Sequence, residues 1–392
     1  MKKYHSIGLC LLAALFLGHS RPNDAMQHEK AQEKRSFIPS HIDSERKDGA
    51  SVKIALLLDT SNSMDGLINQ AKSQLWDIVN EFTHARCGNG APPKLQIALY
   101  QYGNDNLSSR EGYIQQVLDF SSDLDEISEK LFSLTTHGGE EYCGAVINTS
   151  LKQLDWGSTP GDLKMIFIAG NEPFDQGRQS YVNAALNAKE KDVVVNTIFC
   201  GNHALGVRTQ WKKGAQLTGG EYMAIDHNRD VVHISTPYDD VILKLNTKLN
   251  KTYISFGSLG ASKFRKQAVQ DANAMEMEEA VAVKRAVSKS SRLYSNKAWD
   301  LVDATTDESF DLSQLDKDAL PKELRNKSKE EMEAIIEAKR KEREAIQKEI
   351  QDLDMKRKEY MAQKQEDASQ PTLESAMVRA IKRQALAKHI RW

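Results

Sequence analysis

With 392 residues, 28% of them charged and 40% hydrophobic, the chain is longer than one typical domain and has enough apolar material for a real core. A formal net charge of −2, with basic residues interleaved among acidic ones, leaves no electrostatic footprint for nucleic acid, which is not expected as a partner. The absence of a Cys-x-x-Cys pair, a dense histidine cluster or a Walker-type phosphate loop gives no sequence signal for zinc, redox or nucleotide chemistry.

In chain order, Lys2 and Lys3 precede an apolar stretch from Ile7 to Gly18, and small and polar residues follow through Ala25. This is the pattern of a secretory signal over residues 1–25, with cleavage after Ser20 or Ala25; the stretch is short for a bilayer span of about 20 residues. Cys10 is followed by further apolar residues, the wrong order for a lipoprotein acceptor. The chain is therefore expected to be exported, to a periplasm or the cell exterior, with no stable transmembrane span. Residues 26–50 read as a disordered linker.

From residue 51 to 257, apolar runs alternate with amphipathic stretches, the signature of β/α units on a mostly parallel sheet. Strands are expected at Val52 to Leu58, Leu95 to Tyr102, Tyr113 to Asp119, Lys164 to Ala169, Val193 to Cys200 and Glu221 to Ile225. Helices are expected at Leu67 to Ala85, Leu124 to Leu134, Gly144 to Leu154, Ser180 to Lys189, Gly206 to Leu217 and Tyr238 to Tyr253. The loop Gly103 to Gly112 should join two antiparallel strands at one edge. The fold class is thus α/β: a doubly wound, mostly parallel six-stranded sheet between two helical layers, followed by a helical C-terminal region.

The first strand, Val52-Lys-Ile-Ala-Leu-Leu-Leu58, has the continuous apolarity of a central parallel strand, and it runs directly into Asp59-Thr-Ser61-Asn-Ser63. Ligands of open α/β sheets bind outside such strand ends. One carboxylate and two hydroxyls at alternate positions are hard oxygen donors of the kind Mg²⁺, Mn²⁺ or Ca²⁺ prefers. A plainer reading makes Ser63 the N-cap of a helix beginning near Asp65.

Beyond residue 257 the composition changes. Residues 258–320 read as a helical and linker segment, and residues 321–368 as a long charged helix without Gly before Ser369-Gln-Pro371 interrupts it. Met332, Ile336, Ile346, Ile350, Leu353 and Tyr360 follow a 4-3 spacing, with Lys339, Arg343 and Arg357 at intervening seam positions. Such a seam allows either a weak coiled coil, with self-association through this helix, or a single helix held by Glu/Lys pairs. Residues 369–392 contain a last basic amphipathic helix, whose Arg379, Lys382, Arg383, Lys388 and Arg391 read as a solvated face or as a surface for an anionic partner.

Removing Cys10 with the signal leaves Cys87, Cys143 and Cys200 in an oxidising compartment. Cys143 opens a helix and Cys200 ends a strand at the same sheet edge, so a Cys143–Cys200 disulfide is the expected pairing, against three free or buried thiols.

Taken together, the strand, the Asp59-x-Ser61-x-Ser63 loop and the alternation from about Val52 to Phe256 resemble a von Willebrand factor type A domain. The resemblance implies a metal-ion-dependent adhesion site completed by a threonine from a second loop and an aspartate from a third. In Gly138-Gly-Glu-Glu141-Tyr-Cys143, Glu141 stands where the threonine would be; in Gly170-Asn171-Glu172-Pro173, Asn171 is the best match for the aspartate and Gly170 the competing alignment. The expected ligand set is Asp59, Ser61, Ser63, Glu141 and Asn171 around a divalent cation. One carboxylate lost and one gained keeps the anionic count near two, although a glutamate on the metal leaves less positive charge to attract an acidic side chain. A vestigial site, with these side chains bonded only internally, is the alternative. The implied activity is recognition of a protein partner, without catalytic residues. The alternatives in other classes are a non-catalytic scaffold acting through the helical tail, and a metal-dependent hydrolase or chelatase-like accessory subunit. His137 is the histidine nearest the site loop in sequence.

Overall fold

A computed structural model describes residues 49–228, 233–364 and 373–392. The expected signal, its cleavage sites, most of the 26–50 linker and the Ser369-Gln-Pro371 break lie outside these residues.

The elements follow in chain order as β1 (Ser51–Asp59), α1 (Asp65–Glu81), β2 (Lys94–Tyr102), β3 (Ile114–Ser121), α2 (Leu124–Phe132), α3 (Cys143–Gln153), β4 (Leu163–Gly170), α4 (Tyr181–Glu190), β5 (Val194–Cys200), α5 (His203–Arg208), α6 (Trp211–Gln216) and β6 (Tyr222–Ile225). There follow α7 (Asp239–Asn250), α8 (Gly257–Met277), α9 (Glu279–Lys289), α10 (Leu301–Ala304), α11 (Lys329–Lys364) and α12 (Leu373–Leu386). The sheet order is β3-β2-β1-β4-β5-β6, with only β3 antiparallel. β1 has parallel neighbours on both sides, which is why its sequence is apolar almost without alternation: both faces are covered.

Two cores result, one per face. Val52, Ile54, Leu56 and Leu58 of β1 face α1 and α2, while Ala55 and Leu57 face α3 and α4, with Trp211 of α6 in the same layer. The helix expected over Gly206 to Leu217 is divided into α5 and α6 by Gln210, whose φ of 73° is left-handed. The helical run after residue 257 is likewise broken, at the extended residue Glu278.

The C-terminal helices depart most from expectation. Ala376, Met377, Ala380, Ile381 and Ala385 of α12 lie in the same hydrophobic core as Val52 and Ile54, as do Ile346 and Ile350 of α11. The described residues form a single compact unit, so α11 and α12 are part of the sheet's helical layer and not a separate segment. The supposed interruptions in the α11 seam anchor it. Arg343 is buried, donates to Asp300 and Asp303 at 2.6 Å each and to the Thr252 carbonyl at 2.9 Å, and stacks 4.1 Å from the Tyr253 ring centroid. Arg357, also buried, donates to Asp239 at 2.9 Å. With Met332, Ile336, Ile346 and Ile350 buried within the chain, the 4-3 seam of α11 offers no apolar stripe for a coiled-coil partner. The basic side chains of α12 and of the residues after it stay largely solvent-accessible, as a solvated face does, while pairing with acids of the α/β layer: Arg379 and Arg383 with Glu221, Lys382 with Glu81, and Lys388 with Asp192.

The expected Cys143–Cys200 disulfide does not form; Cys87, Cys143 and Cys200 are free and buried. Cys143 and Cys200 do share the sheet edge, but Cys143 packs in the core of the α3 face and Cys200 in that of the α1 face, with the sheet between them.

Among the described residues, no helix is long and apolar enough to cross a membrane.

Candidate metal centre

The site forms where β1 ends. Asp59 is fully buried; one carboxylate oxygen, Oδ1, accepts the backbone N–H of Ser61 at 2.8 Å, which turns the chain sharply out of the strand. Thr60 is tied back to β2, its N–H donating to the Tyr102 carbonyl at 2.9 Å. The turn places the Ser61 and Ser63 hydroxyls 3.3 Å apart. A short 3-10 turn, Asn62–Met64, then leads into α1, and Met64 is the N-cap residue, so Ser63 is not the cap its position suggests.

The second loop is stitched to the first: the N–H of His137 donates to the Thr60 carbonyl at 2.9 Å, and Asn104 Nδ2 donates to Thr135 and Thr60 carbonyls at 2.9 and 3.4 Å. This brings Glu141, 5% exposed, beside Asp59. Gly103, at φ 74°, lies against both: a Cβ there would sit 2.5 Å from Glu141 Cγ and 2.9 Å from Asp59 Oδ1. The third loop contributes Asn171, whose Nδ2 donates to Ser63 Oγ at 3.1 Å. Gly170 is excluded from the aspartate's role by space, since a Cβ there would lie 2.6 Å from the Tyr102 hydroxyl and 3.0 Å from Asp59 Oδ2. All five expected residues thus line one small region at the edge of β1 and β4.

Their electrostatics are unusual. Burial pushes the Asp59 carboxyl up to about 7, and the charge of Glu172 adds to the rise. Glu141 is pushed up to about 8, by burial first and then by the charges of Asp59 and Glu172. Hydrogen bonds from Ser61 pull both back toward the ionised form. Among the described residues, Asp59 Oδ2, Glu141 Oε2 and Asn171 Oδ1 are buried with no hydrogen-bond partner. Buried polar atoms are nearly always satisfied, so three unpartnered oxygens on adjoining loops form a cluster suited to a cation or a proton. The Ser61 N–H accounts for Asp59 Oδ1, and the Asn171 backbone N–H also acts on this carboxylate, favouring its ionised form. The residues fit a hard divalent ion: two carboxylates, two hydroxyls and an amide carbonyl, all oxygen. Among the described residues, no three His, Cys, Asp or Glu side chains converge, and the donor set here is all oxygen, unlike the nitrogen and sulfur sets of closed structural zinc sites.

Some contributors escaped sequence reading. His137, nearest in sequence, is exposed and contributes its backbone N–H; His227, beyond β6, reaches the site loop itself, its Nε2 lying 3.0 Å from the Ser63 carbonyl. Nothing local in the sequence marks that contact. Tyr102, through its hydroxyl on the Ala169 carbonyl at 2.9 Å, closes the gap between β2 and β4 under Asp59.

Residues 53–207 match the family model of the von Willebrand factor type A domain, and the chain carries a domain of that kind. No curated protein matches the chain. Among solved structures it is similar to BatB from Bacteroides thetaiotaomicron, a conserved hypothetical protein, at 17% identity over 45% of this chain and 90% of that one, with a TM-score of 0.34. It is similar to proximal thread matrix protein 1 from the mussel byssus, determined with a zinc-occupied adhesion-site motif, at 15% identity over 45% and 42% of the two chains, TM-score 0.35. It is also similar to the pilus adhesin SpaC from Lactobacillus rhamnosus GG, at 14% identity over 46% and 28%, TM-score 0.34. The chain thus spans less than half the length of the mussel and pilus proteins it matches.

Proposed function

We propose that this chain is an exported binding protein whose type A domain recognises a protein partner through a divalent cation held by Asp59, Ser61, Ser63, Glu141 and Asn171. The observation that carries the reading is the set of orphaned oxygens on Asp59, Glu141 and Asn171, gathered next to two hydroxyls at the C-terminal edge of the sheet. A bound cation would satisfy all three and hold both carboxylates ionised. The protein supplies the rest: the Asp59–Ser61 turn orients the first loop, Asn171 positions Ser63, and Gly103 keeps space open for Glu141. No covalent step is required, so we read the domain as a binding module and not as an enzyme. Export rests on the sequence of residues 1–25 alone.

The scaffold alternative, in which the helical tail joins partners and the site is inert, is disfavoured because the apolar faces of α11 and α12 are used within the chain. Titrating Mg²⁺ or Mn²⁺ into the full chain, by calorimetry and thermal shift, tests the metal. The wild type is expected to bind one ion and gain melting temperature, and Asp59→Ala to lose both responses; equal responses from the two proteins would sink the proposal.

A further inference from the structure

The rim of this site has a chemistry of its own. Glu172 follows Asn171 and Glu140 precedes Glu141; both are exposed, and both lie close enough to act by charge on the buried carboxylates. Asp105 approaches from the β2–β3 loop: its N–H donates to the Gly138 carbonyl at 2.5 Å, and its Oδ2 lies 3.4 Å from where a Gly138 Cβ would be, as does Nδ2 of Asn62. Asp65, at the start of α1, accepts the Thr136 hydroxyl. Among the described residues, none of Asp65, Asp105, Glu140 or Glu172 forms a direct ion pair; Lys72 of α1 interacts with Asp65 by charge, Gln176 Nε2 donates to Glu140 at 3.0 Å, and the arginines on these loops, Arg110 and Arg178, are exposed.

A row of acidic side chains is by itself only a solvated surface. Here it surrounds two carboxylates that are at least nine-tenths buried and carry unpartnered oxygens, Asp59 Oδ2 and Glu141 Oε2. Those two charges together balance a dication, which leaves Asp105, Glu140 and Glu172 as net negative charge at the rim even with the centre filled, while Lys72 of α1 partly offsets Asp65. A carboxylate offered by a partner would find Glu141 already in the coordinating position and like charge on several sides. An ammonium or guanidinium would find complementary charge.

We propose that the partner bound at this edge presents a basic protein segment, a lysine- or arginine-bearing loop or strand, to the rim formed by Asp65, Asp105, Glu140 and Glu172. The proposal rests on the reading of this edge as the recognition surface, and it reverses the ligand charge that a hydroxyl-and-aspartate site of the family type would select.

Fluorescence anisotropy on the full chain with Mg²⁺ present, using labelled peptides of alternating Lys and Ser or of alternating Glu and Ser, tests it. The Lys peptide is expected to bind and the Glu peptide not. The double variant Glu140→Gln/Glu172→Gln should bind the Lys peptide roughly fivefold more weakly at low salt, as expected for partly exposed charges. Neutralising Glu344 and Glu349, exposed on α11, should leave binding unchanged. Both variants are checked for an unaltered thermal melt. Preference for the Glu peptide, no binding of either peptide, or equal loss in the α11 control would overturn the proposal. If the Glu peptide binds and chelation releases it, the metal-centred function stands and the basic-partner inference fails. If the Lys peptide binds through the rim regardless of chelation and of Asp59→Ala, the inference stands and the metal-centred function fails.

Discussion

Asp59 and Glu141 are two carboxyl groups held close together in a buried space, and their protonation links the site to pH. Both titrate above their ordinary values of 3.8 and 4.5, at about 7 and about 8. A carboxyl whose folded value is raised favours the folded state when protonated, so its contribution is complete below the unfolded value and is lost as pH climbs through the folded one. In chelator, the melting temperature is therefore expected to fall between pH 5 and about 8, and Glu141→Gln should flatten the upper part of that decline; calorimetric melts across the range measure it. Mg²⁺ competes with these protons, so its stabilising shift should grow over the same interval. A metal response that shrinks as pH rises would contradict the arrangement. At this scale the first loop was fully legible, because Asp-x-Ser-x-Ser after a buried strand is a local pattern. The choice of Asn171 over Gly170 was not legible, because it depends on how closely the Tyr102 hydroxyl approaches Gly170.

The helices beyond the sheet are held by buried charges, and these define what α11 does. Arg343 is 5% exposed and its partner Asp300 0%, and both are hydrogen-bonded into α10 and the end of α7. Truncating one member of such a pair leaves a charge stranded in the interior, which costs about 3–5 kcal/mol. Arg343→Ala is expected to destabilise by that order in urea unfolding, whereas replacing the exposed Lys341, 75% accessible in its pair with Glu337, should change stability by less than about 0.5 kcal/mol. A similar arrangement holds α9, where Arg285 bridges Asp125 and Asp271 and Lys289 joins Asp271 at 2.8 Å. The sequence displayed α11 as a long polar helix with a defective apolar seam. Its arginines read as interruptions because their carboxylate partners lie 43 and 118 residues away along the chain.

The described residues pack as one compact unit in which the last helix closes the first core. Ile381 is fully buried against the layer that also contains β1. Ile381→Ala should cost about 2–5 kcal/mol, the range for emptying a core site of this size. Deleting α12 should expose the face formed by Leu56, Leu58, Phe167, Ala169 and Ile198 together with Leu75 and Ile78 of α1, and leave a chain that aggregates or unfolds at lower temperature, although the loops of the candidate metal centre are untouched. Circular dichroism melts of the full chain and of a version ending at Lys364 compare the two; equal melting temperatures would show that the tail is dispensable to the fold. A single cooperative transition is expected for the full chain, since no boundary in the packing separates the sheet from its C-terminal helices.

By itself the sequence determined the alternation of strands and helices, the central place of β1 and the edge at which oxygen donors gather, because each is written in residues that are neighbours along the chain. The tertiary structure alone decided that Cys143 and Cys200 face opposite sides of the sheet, that Asn171 and not Gly170 meets Ser63, and that Arg343 and Arg357 of α11 are buried against distant carboxylates. Those outcomes depend on which distant side chains share a buried space, where an unpaired charge is costly and a paired one is tolerated, and no local spacing records that.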